Sequence, residues 1–467
     1  MTDYSVMKEL TFDSRDEFTR RPIAEKIIKL LNSKIDVSPL IIDGKWGTGK
    51  TEFCFKLKNL IEDVNPNNYK VGYVNAFQAD HANEPLLTLI AEVASFYDEK
   101  DEKRKSFIKN AVPYLRLISG IGLKAGLGFA FGRYAADIPD ALADGMEEIK
   151  DGSKSLIDQS LESMIKDQVE AEKNLSTLRD ALSDIASTNP IILLIDELDR
   201  CRPDFAVMML ETIKHVFDVE NVQIILITNA EQLKATIKHS YGSETNSHDY
   251  LYKFFKYQIN LPTSTKDIEG RPVENNVTYF KATVQASKVI PQDFKENQFI
   301  YEIPTFLDVG KLSLRNIEQI VRCIETLIIF EDKEQSKLLV LEQIIMIFLS
   351  VVYITDKDLF MSLANRNLLS SEFLDFMNSD ILSIPSSDIL GNPIKSFILI
   401  LFNKIIRNQV VNIRSNSGVA IQKLAQEILG SPHYNLLIDN NGISSDSYLY
   451  NYIDHTINNL LLFDIVK

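Results

Sequence analysis

The sequence predicts an α/β protein: a parallel sheet with a helical insertion, followed by an all-helical carboxyl-terminal domain. Three observations carry this. The continuous aliphatic run 191–195 is too uniformly apolar for a strand with one wet face, and so suits a sheet buried on both sides. Stretches of helical periodicity alternate with the strand-like runs, which is the pattern of β-α units. Beyond Pro262 the strand pattern stops, and apolar positions recur at helical spacing between polar loops.

Taken in order, Ser14 and Glu17 stand at capping-box spacing ahead of a helical stripe formed by Pro22, Ile23, Ile27, Ile28 and Leu31. Leu40, Ile41 and Ile42 form a first strand that runs into a glycine-rich turn. Phe53, Phe55, Leu57, Leu60 and Ile61 then continue as a helix. Residues 71–77 read as a second strand, and 85–96 as a helix with Leu86, Leu89, Ile90 and Val93 on one side. From 98 to 189 the chain carries mixed charge, a glycine-dense patch and then Leu175, Leu178, Leu182 and Ile185 at helical spacing. The sheet resumes at 191–195, Pro203 opens a helix, 222–227 is a further strand, and 256–261 the last. These divisions give the amino-terminal half of the core over 1–98, a helical, glycine-containing insertion over 99–189, the second half of the core over 190–262, and a helical domain over 263–467.

Composition narrows the function classes. A net charge of -15 and a pI near 5.0 give no electrostatic steering toward nucleic acid or anionic lipid. Cys54, Cys201 and Cys323 are far apart and follow no metal spacing, which fits a reducing compartment. The residues up to Leu10 lack the apolar stretch of a signal peptide, so a cytoplasmic setting is expected.

Gly44, Lys45, Trp46, Gly47, Thr48, Gly49, Lys50 and Thr51 satisfy G-x-x-x-x-G-K-[ST], with Glu52 following as part of the same candidate nucleotide-binding segment. Glycines let consecutive N–H groups converge on phosphate oxygens, Lys50 places its ammonium between the β and γ phosphates, and the Thr51 hydroxyl ligates Mg2+. Composition yields on the order of 0.01 such matches by chance, and the strand-loop-helix context lowers that further. The ordinary reading, a glycine turn, is set aside on these grounds.

The strand at 191–195 delivers Asp196 and Glu197 to the carboxyl edge of the sheet, where ligands of such folds bind. Asp196 is expected to orient Mg2+, and Glu197 to take a proton from the attacking water; the alternative is two solvated loop acids. Asn229, after the next strand, has two readings: it holds the lytic water or the γ-phosphate, or it caps the helix before Glu231. Arg200, Arg202 and Arg315 each have two as well, neutralising charge during phosphoryl transfer or forming surface ion pairs.

These residues resemble the KAP family of P-loop NTPases, a branch related to AAA+ and STAND proteins. The resemblance rests on Arg21-Pro22-Ile23-Ala24-Glu25, the tryptophan-bearing loop Gly44 to Thr51, Asn75-Ala76-Phe77-Gln78, and the extended acidic motif from Ile195 to Pro203. Weaker similarities lie at Tyr250-Leu251-Tyr252-Lys253 and Leu314-Arg315-Asn316-Ile317-Glu318. Phe77 stands where the family usually has Trp, and Thr228-Asn229 where it usually has Val-Asp. The resemblance implies an AAA+-like ATPase core with ATP and Mg2+ as ligands, and a sensor strand between the two Walker strands. By family analogy it also implies a setting in bacterial antiviral defence.

Family members often carry membrane helices between the Walker motifs. Residues 112–136 are apolar and hold glycines at close-packing spacing, yet Arg116, Lys124 and Arg133 interrupt them, each costing about 2.5 to 3.5 kcal/mol at bilayer depth. A helix hairpin or glycine-rich stretch on the core is favoured over membrane contact. The second apolar stretch, 338–354, contains Glu342 and Gln343 and reads as the central helix of the carboxyl-terminal domain. The functional expectation is an ATP-hydrolysing switch working as a homo-oligomer or with a partner protein of a defence system, cytoplasmic or peripheral to the inner membrane. Its rivals are a nucleotide-bound scaffold without turnover and a nucleic-acid-stimulated ATPase. A GTPase is disfavoured because no Asn-Lys-x-Asp motif is present.

Overall fold

The computed structural model describes residues 7–82, 84–119, 158–266, 269–301, 312–331, 338–368 and 446–463, together with Glu372 and Leu401. The chain divides into two units, Met1–Pro262 and Thr263–Lys467.

The first unit is organised by five parallel strands: β1 (Leu40–Asp43), β2 (Lys70–Asn75), β3 (Ile191–Asp196), β4 (Val222–Thr228) and β5 (Tyr257–Asn260), in the order β2-β3-β4-β1-β5. Thus β4 lies between β1 and β3, as the resemblance implies. Every residue of β3 is buried, because helices cover both faces. Alternation along the strands divides the core in two. Leu40, Ile42, Ile192, Leu194, Ile225 and Ile227 pack with α1 (Arg21–Leu31) and α2 (Lys50–Val64). Ile41, Ile191, Leu193, Ile195, Ile224 and Leu226 face the other layer. That layer holds α3 (Pro85–Ala94), α4 (Glu102–Ser119), α5 (Asp158–Thr188), α6 (Pro203–Thr212) and α7 (Ala230–Tyr241), with the short α8 (Ser247–Tyr252) following α7.

The insertion is helical where it is described: Phe107, Ala111 and Leu115 of α4 pack with Leu178, Leu182 and Ile185 of α5. The glycine-dense part of the 112–136 segment, from Gly120 onward, lies outside the described residues. Among the described residues, no helix is long and apolar enough to cross a membrane.

Two local expectations are corrected. Ser14 does not cap α1; its hydroxyl turns back to Thr11. The carboxylate of Asp16 instead accepts from the backbone N–H groups of Arg20 and Arg21 at 2.8 and 2.9 Å. The second strand ends at Asn75 rather than at Phe77, because the Asn75 side chain accepts from the Gln78 N–H and caps a single helical turn, Ala76–Ala79.

The second unit begins with an antiparallel hairpin, β6 (Ser264–Lys266) and β7 (Pro272–Glu274), which the expectation of helix alone did not include. Helices follow: α9 (Asn275–Ala286), α10 (Leu314–Phe330), α11 (Val340–Thr355), α12 (Lys357–Ala364) and α13 (Asp446–Leu461). In α11 the residues from Glu342 to Tyr353 are all buried. Its buried Glu342 is satisfied by the Leu339 N–H and the Tyr448 hydroxyl, a paired polar group inside a core.

Candidate functional site

Register aligns the carboxyl ends of the strands: Asn75 opposite Asp196, Asp196 opposite Ile227, and Thr228 opposite Asp43. The glycine loop springs from this edge. Gly44 donates its N–H to the Thr228 carbonyl at 3.2 Å, so the loop starts anchored to β4. Gly47 and Gly49 sit at φ of 71° and 78°, a conformation that bends the backbone sharply and excludes most side chains. Lys50 folds over the loop and donates to the carbonyls of Gly44 and Lys45 at 2.7 and 3.1 Å. Burial lowers its pKa, while Asp199, Asp196 and Asp43 oppose that shift.

The loop meets the acid pair through Thr51, whose hydroxyl donates to the Asp196 carboxylate. Asp196 is 1% exposed. Desolvation pushes its carboxyl up from 3.8 to about 6, the hydrogen bonds from Thr51 and the Glu197 N–H only partly offsetting it. Glu197 has a left-handed φ of 62°, which costs a side-chain-bearing residue about 1–2 kcal/mol. That turn separates the directions of two adjacent acids. Glu197 Oε2 accepts from Asn75 Nδ2 at 3.1 Å, and Oε1 pairs with Arg200 at 2.9 Å.

The other candidates fall into place around this group. The Asn229 side chain accepts from the Gln232 N–H at 3.3 Å and so caps α7. Glu52 pairs with the buried Lys56 at 2.6 Å and with Arg15 at 3.4 Å, on the flank of α2 rather than across the loop. Arg202 is engaged by Asp80, which accepts from its backbone N–H and from Nε at 2.9 and 3.0 Å. Arg315 lies exposed in the first turn of α10, in the second unit, behind the Ser313 cap.

Three residues at this site make contacts that the sequence did not assign, although Asn75 and Asp199 lie within the motifs named above. Arg20, 4% exposed, donates from Nη1 to the Thr48 carbonyl at 2.8 Å and from Nη2 to the Pro262 carbonyl at 3.4 Å. Burial lowers its guanidinium to about 10, with Glu52 and Asp16 opposing. Asp199 accepts from the Trp46 indole N–H and from the Thr228 hydroxyl. Asn75 reaches Glu197 from the neighbouring strand. The available signal was adjacency to recognised motifs; the partners are too distant in sequence to be read.

A model of the KAP family P-loop domain matches residues 20–330. No curated protein matches the chain. Among solved structures, PCH-2 of C. elegans is 14% identical, covering 72% of this chain and 66% of that one, with a TM-score of 0.29. AMPPCP-bound DnaA from Aquifex aeolicus is 12% identical, covering 97% and 96%, with a TM-score of 0.32. Likeness that distant transfers nothing about activity. The family match, in contrast, runs through well over half of the sequence and through every part of the loop and acid pair described above: the chain belongs to the KAP family of P-loop NTPases.

Proposed function

We propose that this protein binds ATP with Mg2+ and hydrolyses the γ-phosphate, using the cycle as a switch. The observation that supports this most directly is the hydrogen bond joining the Thr51 hydroxyl to the Asp196 carboxylate, with Glu197 as the next residue. A hydroxyl and a carboxylate oxygen side by side form the hard-oxygen donor set that suits Mg2+, so Thr51 and Asp196 are the residues that would hold it. When bound, Mg2+ supplies positive charge to the phosphate oxygens of the substrate.

The chain's own residues would do the rest. Loop amides cradle the phosphates, and Lys50 exchanges the Gly44 and Lys45 carbonyls for phosphate oxygens. Glu197 takes a proton from the attacking water onto its carboxylate. Asn75 positions that carboxylate; Arg200 and Asn229 are assigned supporting roles toward charge and water at the γ-phosphate. Free, buried Cys54, Cys201 and Cys323 support a reducing, cytoplasmic setting. A role in antiphage defence, with self-assembly or a partner protein, is proposed by family analogy.

The test is steady-state ATP turnover with Mg2+ for the native chain and for Glu197→Gln. Loss of the base lowers kcat by at least about 100-fold while nucleotide binding persists. Equal turnover in the two proteins would reject hydrolysis through Glu197 and leave a nucleotide-bound scaffold.

A further inference from the structure

Asp199 stands three residues beyond Asp196 and is 4% exposed, yet both of its oxygens are taken by uncharged donors. Oδ2 accepts from the Trp46 indole N–H, at the apex of the phosphate-binding loop, and Oδ1 accepts at 3.0 Å from the Thr228 hydroxyl. Thr228 is fully buried at the end of β4, and its carbonyl accepts the Gly44 N–H at the base of the same loop. The loop is therefore held at base and apex by one closed circuit: Gly44 to Thr228, Thr228 to Asp199, Asp199 to Trp46. Trp46 is otherwise 53% exposed, so packing alone does not immobilise it.

The chemistry of the circuit explains why an acid occupies this position. Two donors converge on one side chain, and only an ionised carboxylate accepts from both without presenting a hydrogen of its own. The indole N–H of Trp46 can only donate, so position 199 must offer it an acceptor; the isosteric amide can still do so while donating its NH2 to the Thr228 hydroxyl, whereas an aliphatic side chain offers neither partner anything. A buried carboxylate hydrogen-bonded only to uncharged donors is costly, so its retention calls for a role. Asp199 also opposes the lowering of the Lys50 pKa by burial.

The geometry points to Asp199 as a positioning residue that latches Trp46, and with it the apex of the phosphate-binding loop, to the end of β4 in the phosphate-ready conformation. This rests on the nucleotide-binding reading of the loop. Asp199 itself touches no phosphate in this account. Its removal lowers the fraction of loops that are competent to bind, which raises the apparent Kd by the inverse of that fraction and leaves kcat nearly unchanged.

The full chain carries a single tryptophan, so its fluorescence anisotropy reports on this side chain alone. For Asp199→Leu, anisotropy falls in the nucleotide-free protein and the Kd for ATP with Mg2+ rises about tenfold, with kcat within about twofold of the native value. Trp46→Phe removes the indole N–H and produces a similar rise in Kd; because one interaction is lost in both, the double variant binds no more weakly than either single one. Unchanged anisotropy in Asp199→Leu, or single losses that multiply in the double variant, overturns the latch. Lys50→Ala serves as the separating control. If it binds ATP as well as the native chain, the phosphate-loop reading itself fails, whereas the anisotropy comparison still decides whether Asp199 holds Trp46.

Discussion

Replacing Asp196 with Asn should stabilise the metal-free protein, and should do so more at high pH than at low. Burial raises the folded-state pKa of this carboxyl to about 6 against 3.8 for the ordinary side chain. The folded protein therefore binds a proton that the unfolded chain has released, and stability declines as pH rises through that window and levels off above it. The full difference corresponds to about 3 kcal/mol, of which roughly 1.4 kcal/mol falls between pH 5 and pH 8. Asparagine keeps the shape and an acceptor for the Thr51 hydroxyl but never ionises. Urea denaturation of both proteins in EDTA, at a series of pH values, singles out this group because titrations of groups remote from it cancel in the difference. The expected result is an advantage for Asp196→Asn that grows by about 1–2 kcal/mol from pH 5 to pH 8. An advantage that does not change with pH, or that shrinks as pH rises, refutes the argument that desolvation dominates at Asp196.

Two further perturbations follow from the same packing. Arg20→Met leaves the Thr48 and Pro262 carbonyls without their guanidinium donor, and should cost about 1–3 kcal/mol in thermal denaturation together with weakened ATP binding; Arg20→Lys should not rescue it, since one ammonium does not reproduce the planar fork. Gly72→Ala places a Cβ 2.8 Å from Glu92 and 2.9 Å from Leu193. Because Glu92 Oε1 is held there by the Tyr73 N–H at 2.9 Å, the crowding has no cheap relief, and a loss of about 1–3 kcal/mol by urea denaturation is expected.

Much of this architecture was legible from local pattern. The run at 191–195 announced a strand because a sheet covered on both faces accommodates such uniform apolarity. Gly44 to Thr51 announced a phosphate loop because each residue type has its own mechanical reason to be there. What local pattern misses is contact between distant segments. Arg20 and Thr48, Asp199 and Trp46, and Asn75 and Glu197 are paired only once the strand order β2-β3-β4-β1 is known. Ser14 and Glu17 had capping-box spacing, yet Asp16 took the role because its carboxylate reaches two N–H groups at once. The hairpin at β6 and β7 is only three residues per strand, too short for alternation to register.

The central claim is that the loop from Gly44 to Thr51, with Lys50 and the acid pair, holds a triphosphate. Equilibrium dialysis of labelled ATP with Mg2+ tests it most directly. Saturable uptake approaching one nucleotide per chain is expected for the native protein, and loss of that uptake in a folded Lys50→Ala variant. Absence of saturable uptake by folded native protein, or equal uptake by both, would contradict it.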